Sequence, residues 1–219
     1  MLTPRLPDDR CLLISDGSPG SFVLCSLLAE ARSADGGEPT LIYPGWWGAT
    51  EDLDALLPGV DRSLERAARF AGFDLITDRA GYPDLDELRA ARDGVASGMH
   101  RTRMLLDACA IALERGIRSV VWGVQIPEDT PDRLGRIGDA IDRALLAARL
   151  ATLDAEERGG VEVQILTPIV DLADDQIMDL AIDLSVPLDA GWWNEADHPI
   201  ADHERERWSG VGEGAGSAS

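Results

Sequence analysis

The run Cys11–Leu12–Leu13–Ile14, followed by Ser15–Asp16–Gly17–Ser18–Pro19–Gly20–Ser21, decides how this chain is read. Four apolar residues in a row show no polar alternation, so a strand built from them has both faces buried. The small and polar residues after it read as a turn, and Phe22 to about Arg32 reads as a helix that is apolar on most faces. Strand, small-residue turn and buried helix open a βα unit. The same alternation recurs. Thr40–Leu41–Ile42–Tyr43 is a second strand, closed by Pro44–Gly45, and Asp61 to Phe70 has helical spacing. Asp74–Leu75–Ile76–Thr77 reads as a third strand, and Arg101 to Arg115 as an amphipathic helix ended by Gly116. Ser119–Val120–Val121–Trp122 is a strand stopped by Gly123, with a long helix from Asp132 to about Leu153. Val161 to Leu166 is the fifth strand, and Asp171 to Leu184 the last helix. The expectation is an α/β chain with a doubly wound, five-stranded parallel sheet and right-handed crossovers. Ligands of such sheets sit beyond the carboxyl ends of the strands, at the switch point. The loops after Ile14, Tyr43 and Trp122 are therefore the ones to watch.

The 219 residues suffice for one core, expected over 1–208, with a disordered Gly/Ser-rich tail over 209–219. The net charge is −20 and lysine is absent, so every fixed cation is an arginine. Such a surface repels nucleic acid and anionic membranes, and neither is expected as a partner. A small anion is still accessible to a helix N-terminus or to a few arginines. Cys11, Cys25 and Cys109 are widely spaced, with no CxxC, as in a chain kept reduced. With no signal-peptide pattern and no apolar run long enough to span a bilayer, a cytoplasmic location is expected.

Ser15 to Ser21 admits two readings. It is a cradle in which backbone N–H groups, the helix dipole and the hydroxyls of Ser15, Ser18 and Ser21 face a phosphate, or it is an ordinary tight βα turn. Arg101 and Arg103 open a helix and either reach an anion or pair with surface acids. Asp129 and Asp132 follow the fourth strand as candidates for Mg²⁺ or a ligand amine, with an N-cap role preferred for Asp132. Trp46–Trp47 and Trp192–Trp193 are candidates for a purine-stacking wall. A hydrophobic cap or a homodimer contact is the preferred reading. His198 and His203, beside Asp197 and Asp202, form either a metal site or, as preferred, a polar segment in solvent.

Three stretches extend the argument. Val120–Val121–Trp122–Gly123–Val124 is followed by Glu128–Asp129 and Thr130–Pro131–Asp132, then by a helix rich in Ala and Leu. Thr167–Pro168–Ile169 precedes Leu172 and the helix from Ile177 to Leu184. Arg101 opens a buried helix from Met104 to Leu113. In order and spacing, over roughly residues 10 to 194, these resemble 7-cyano-7-deazaguanine synthase, a PP-loop ATP pyrophosphatase of queuosine and deazaguanine biosynthesis. The turn Ser15–Asp16–Gly17–Ser18–Pro19–Gly20 stands where that superfamily carries Ser-Gly-Gly-x-Asp-Ser. The resemblance implies strand order 3-2-1-4-5 and ATP with Mg as cofactor. It implies adenylation of a deazaguanine carboxylate followed by attack of ammonia to give a nitrile. On the match Ser15, Asp16, Gly17, Ser18, Gly20, Ser21 and Arg101 would hold the nucleotide. Gly123, Asp129 and Asp132 would shape the pocket for a small-molecule nucleotide or deazapurine.

The departures are specific. Asp16 replaces a glycine, Pro19 the family's aspartate, Gly20 its last serine and Thr102 its asparagine. A usual lysine falls near Asp174. The four zinc cysteines are missing where Gly191–Trp192–Trp193–Asn194 and Glu195 to Trp208 stand, so no zinc is expected. These changes define the alternative, a catalytically inactive paralogue that binds a nucleotide or a partner.

Overall fold

The computed structural model describes residues 5–33, 39–46, 53–77, 95–157, 160–195 and 197–209. Five strands form one all-parallel sheet: β1 (Cys11–Ser15), β2 (Leu41–Pro44), β3 (Asp74–Leu75), β4 (Ser119–Trp122) and β5 (Gln164–Leu166). Their order is β3-β2-β1-β4-β5, the order the resemblance implies. The central register pairs Leu13 with Ile42 on one side and with Val121 on the other. The helices among the described residues are α1 (Pro19–Ser33), α2 (Leu53–Ala71), α3 (Val95–Glu114), α4 (Arg133–Glu156), α5 (Asp174–Asp183) and α6 (Pro199–Ser209). Two short 3₁₀ turns, Leu188–Ala190 and Trp192–Asn194, precede α6.

The continuous apolar strands are explained by two cores. Cys11, Leu13, Ile42 and Val121 face one layer with Phe22, Leu24, Leu64 and Ile177. Leu12, Ile14, Tyr43, Val120 and Trp122 face the other layer with Met104, Leu105 and Cys109. A short strand with helices on both sides has no solvent face, so polar alternation would leave unpaired polar atoms inside. In the second layer α4 presents Ala140, Ala144, Ala147, Ala148 and Ala151, small residues that bring it close to α3 and the sheet.

Several boundaries differ from the sequence reading. α2 begins at Leu53 rather than Asp61 because Leu56, Leu57 and Val60 bury their side chains, which carries the helix through Pro58. β3 and β5 are shorter than expected, as edge strands often are. The main correction lies at the C-terminus. The segment after Asn194 leaves Asp197, Asp202 and His203 in solvent, as preferred, but it is not an open stretch. It folds as α6, with Ala201 and Trp208 buried in the first core and Trp208 Nε1 donating to Glu204 Oε2 at 2.8 Å. The expected tail, beyond Ser209, lies outside the described residues, as does Trp47.

If α6 is part of the core, Trp208→Ala should lower stability by about 3 kcal/mol. The check is the urea midpoint followed by circular dichroism. A change under about 0.5 kcal/mol, typical of a surface substitution, would mean that the helix is not docked.

Candidate functional site

β1 and β4 end side by side at the switch point, and the chain leaves them in opposite directions. A cavity of about 510 Å³ opens there, within the roughly 300–1,000 Å³ range of small-ligand sites. Asp16 and Ser18 line it from the first turn, Trp122, Val124 and Gln125 from the end of β4, and Arg101 from α3. α4 adds Arg136, Asp139 and Arg143, and α6 adds Ile200, Glu204, Arg207 and Trp208. Trp46 and Trp192 complete the wall.

The turn is closed by its own side chains. Gly17 sits at φ 71°, a left-handed conformation suited to glycine, and its N–H donates to Ser15 Oγ at 3.2 Å. The Ser18 N–H donates to Asp16 Oδ1 at 2.9 Å, and Ser21 Oγ donates to the same oxygen at 3.0 Å. The Ser21 N–H reaches Ser18 Oγ at 3.4 Å and the Phe22 N–H reaches the Ser18 carbonyl at 3.1 Å. Ser18 is thus the N-cap of α1, with Pro19 at the first helical position, where its missing donor costs nothing. The Gly17 carbonyl accepts from Ser63 Oγ at 3.3 Å, which ties the turn to α2. A carboxylate therefore occupies the donors that a phosphate would need. Burial pushes the Asp16 carboxyl up to about 6, against the lowering effect of the Ser18 and Ser21 bonds, and the charge of Glu204 adds to the rise.

The remaining expected residues separate. Ser15 and Ser21 are fully buried and act inside the turn. Gly20 packs under Ile169, where a Cβ would come within 2.8 Å of its Cδ1. Gly123 does not line the cavity. A Cβ there would meet Ser21 Oγ at 3.0 Å and the Ile14 carbonyl at 3.1 Å, so this glycine lets β4 leave the sheet close against the turn. Asp129 borders a separate depression with Glu128, Asp174, His203 and Glu206, beyond Arg207. Asp132 is exposed, with φ 52° and no side-chain capping bond, so the preferred N-cap role is not realised. Arg103 is exposed and does not line the cavity, whereas Arg101 does. Among the described residues no group of three His, Cys, Asp or Glu side chains could hold a metal ion. The His198/His203 segment accordingly forms no such group, and His198 Nδ1 instead accepts the Ile200 N–H at the start of α6.

The described tryptophans of the two pairs take the hydrophobic-cap reading. Trp46 and Trp192 are buried and pack edge to face, 5.7 Å between centroids, and Trp193 lies 6.0 Å from Trp192. They cap the core, and two of the three also face the cavity. His100 Nε2 donates to the Trp46 carbonyl at 3.1 Å, fastening that wall to α3 beside Arg101.

Sequence reasoning did not find Arg136, Arg143 or Arg207. Arg207 grips Asp174 through Nε and Nη2 at 2.6 and 2.5 Å and donates to Gln125 Oε1 at 3.0 Å. Burial alone would raise the Asp174 carboxyl, but Arg207 holds it below the usual range. Asp174 is thus paired from α6.

No protein-family model matches the chain, and no curated protein sequence matches it. Among solved structures it is similar to the U34-tRNA thiolase NcsA from Methanococcus maripaludis with its [4Fe-4S] cluster. The TM-score is 0.47 and the identity 14%, covering 96% of this chain and 73% of that one. A likeness at this level carries nothing about the chemistry of this chain. No helix among the described residues is long and apolar enough to cross a membrane.

The Asp16 geometry has a measurable consequence. A carboxyl raised from 3.8 to about 6 binds its proton more tightly in the folded state. The wild-type fold therefore loses stability as pH rises from about 4 to about 6, and the loss is complete above that window. Asp16→Asn keeps the acceptor but not the charge. It should be more stable than wild type by on the order of 1–3 kcal/mol near pH 7.5, with the gap closing near pH 4. Urea unfolding of both proteins at the two pH values checks this. A pH-independent difference would contradict it.

Proposed function

We propose that this chain is a nucleotide-binding α/β protein, in which the cavity at the switch point takes a purine-like anion and the first turn does not handle pyrophosphate. One observation carries the proposal: Asp16 accepts from the Ser18 amide and the Ser21 hydroxyl, the donors a phosphate would otherwise use. Four of the six tryptophans, Trp46, Trp122, Trp192 and Trp208, line the same cavity, which suits a flat aromatic ligand.

The activity implied by the family resemblance makes a heavier demand. Adenylating a carboxylate requires the pyrophosphate to be held while its bond to AMP breaks, by groups preorganised to take up charge. At this turn the amides of Gly17, Ser18, Ser21 and Phe22 all have internal acceptors, and Pro19 has no amide hydrogen. An ionised Asp16 a few ångströms from a phosphate would cost a few kcal/mol at an effective dielectric near 20. A triphosphate does not fit this turn as it stands. The reading supported best is the inactive paralogue, which binds a nucleotide without turning it over.

Two measurements test it. Incubation with ATP, a deazaguanine carboxylate and ammonia should release no AMP above background. Substrate-dependent AMP release would restore the synthase reading. Titration calorimetry should show Mg-ATP binding Asp16→Gly more tightly than wild type by roughly tenfold or more. Equal affinity would show that Asp16 does not guard the turn.

A further inference from the structure

The four arginines around the cavity are not equivalent. Arg207 is held by Asp174 and Gln125, with Glu204 at 3.6 Å. On another wall, Arg101 from α3 meets Arg136 and Arg143 from α4. Arg136 and Arg143 are seven residues apart, two turns along one face of the helix, so both present to the same side. Arg143 donates to Thr102 Oγ1 at 2.5 Å, which braces it against α3. Asp139 lies between them on α4 and also lines the cavity.

Two observations suggest that this wall expects an anion. The first is repulsion. Arg101 is half-buried, and after burial itself the charges of Arg143 and Arg136 are what most disfavour its charged form. Like charges gathered in a partly desolvated place are stable only when something offsets them. Neither Arg101 nor Arg136 has an ion pair among the described residues. The second is an unmet hydrogen-bond need. Arg101 Nε is buried without an acceptor, and so is Nε1 of Trp192, which lines the same cavity. Buried donors in folded proteins are almost always paired, so these two mark a wall whose hydrogen bonding is incomplete.

We infer that Arg101, Arg136 and Arg143 form the anion-recognising pole of the cavity, and that the pole takes a phosphate monoester, as carried by a purine nucleoside monophosphate. The inference rests on the nucleotide reading above for the base and on the arginine wall for the phosphate. It moves phosphate recognition from the βα turn to the facing helices. A guanidinium matches phosphate oxygens in fork geometry and stays charged in a half-buried place, a role lysine fills less well.

The test is calorimetry on the full chain with AMP and GMP, with adenosine and guanosine, and with inorganic phosphate. Wild type is compared with Arg101→Gln and with Arg136→Gln, the latter on an exposed residue whose replacement should leave folding intact. One monophosphate should bind at least roughly tenfold tighter than its nucleoside. Each arginine variant should remove most of that advantage and leave nucleoside affinity within about twofold. If monophosphate and nucleoside bind alike, or if the advantage survives both substitutions, the arginine pole is wrong while the nucleotide reading stands. If phosphate binds and is lost in both variants, but no nucleoside contributes, the pole stands and the nucleotide reading falls. If no probe binds, both fall.

Discussion

The turn after β1 depends on one interaction, the Asp16 carboxylate accepting from the Ser18 amide and the Ser21 hydroxyl. It fixes the entry of α1, whose buried residues Phe22, Val23 and Leu24 anchor the first core. It also sets the electrostatics of the switch point. A turn of this kind usually leaves donors facing outward, because a helix N-terminus has amides without internal partners. Here the chain supplies an internal anion. The gain is a turn whose hydrogen bonds need no ligand. The cost is a carboxylate in a desolvated place, seen as the rise of its carboxyl to about 6.

A second constraint follows at the other side of the cavity. α6 closes over the site and brings Glu204, Arg207 and Trp208 to its wall. Arg207 links three separate pieces of chain: α6 itself, Asp174 at the start of α5, and Gln125 after β4. Gln125 in turn donates to the Leu172 carbonyl at 3.1 Å and to Asp174 at 2.7 Å. Arg133 adds bonds from α4 to the carbonyls of Ile126, Asp171 and Leu172. The loops after β4 and β5 are thus held by arginines meeting carbonyls and one carboxylate. The Arg207–Asp174 ion pair and the buried Trp208 hold the C-terminal segment against these loops.

The sheet was legible because burial on both faces leaves a plain mark. Cys11 to Ile14 and Ser119 to Trp122 are apolar runs bounded by turn residues, and both became central strands. α6 was not legible because its surface dominates its composition. Asp202, Glu204, Arg205, Glu206 and Arg207 hide the two residues that dock it, Ala201 and Trp208. Their separation by seven residues was the available signal, since it places them on one face. Asp16 was legible as the awkward residue of the turn, but its direction was not. Whether a carboxylate repels a ligand or satisfies its own loop depends on side-chain torsions that no local pattern encodes.

The arginine wall shows the same limit from the other direction. Arg101 could be named from its place in the chain, but its meaning depends on Arg136 and Arg143, more than thirty residues away on a helix read only for its alanines and leucines. In a chain of net charge −20, most arginines should find acidic partners, and Arg62 and Arg66 do so with Glu195. Arg101 and Arg136, which line a cavity with no ion pair among the described residues, are therefore the exception to explain. Long-range repulsion from the acidic surface would slow the approach of any anion and weaken it at low salt. A local cluster within a few ångströms of the ligand outweighs that field, because close charges in a half-buried place are screened far less than distant ones across water. The wall and the surface thus act at different ranges. The net charge of −20 opposes an anion at long range, whereas the wall inferred above would act on one only at close range.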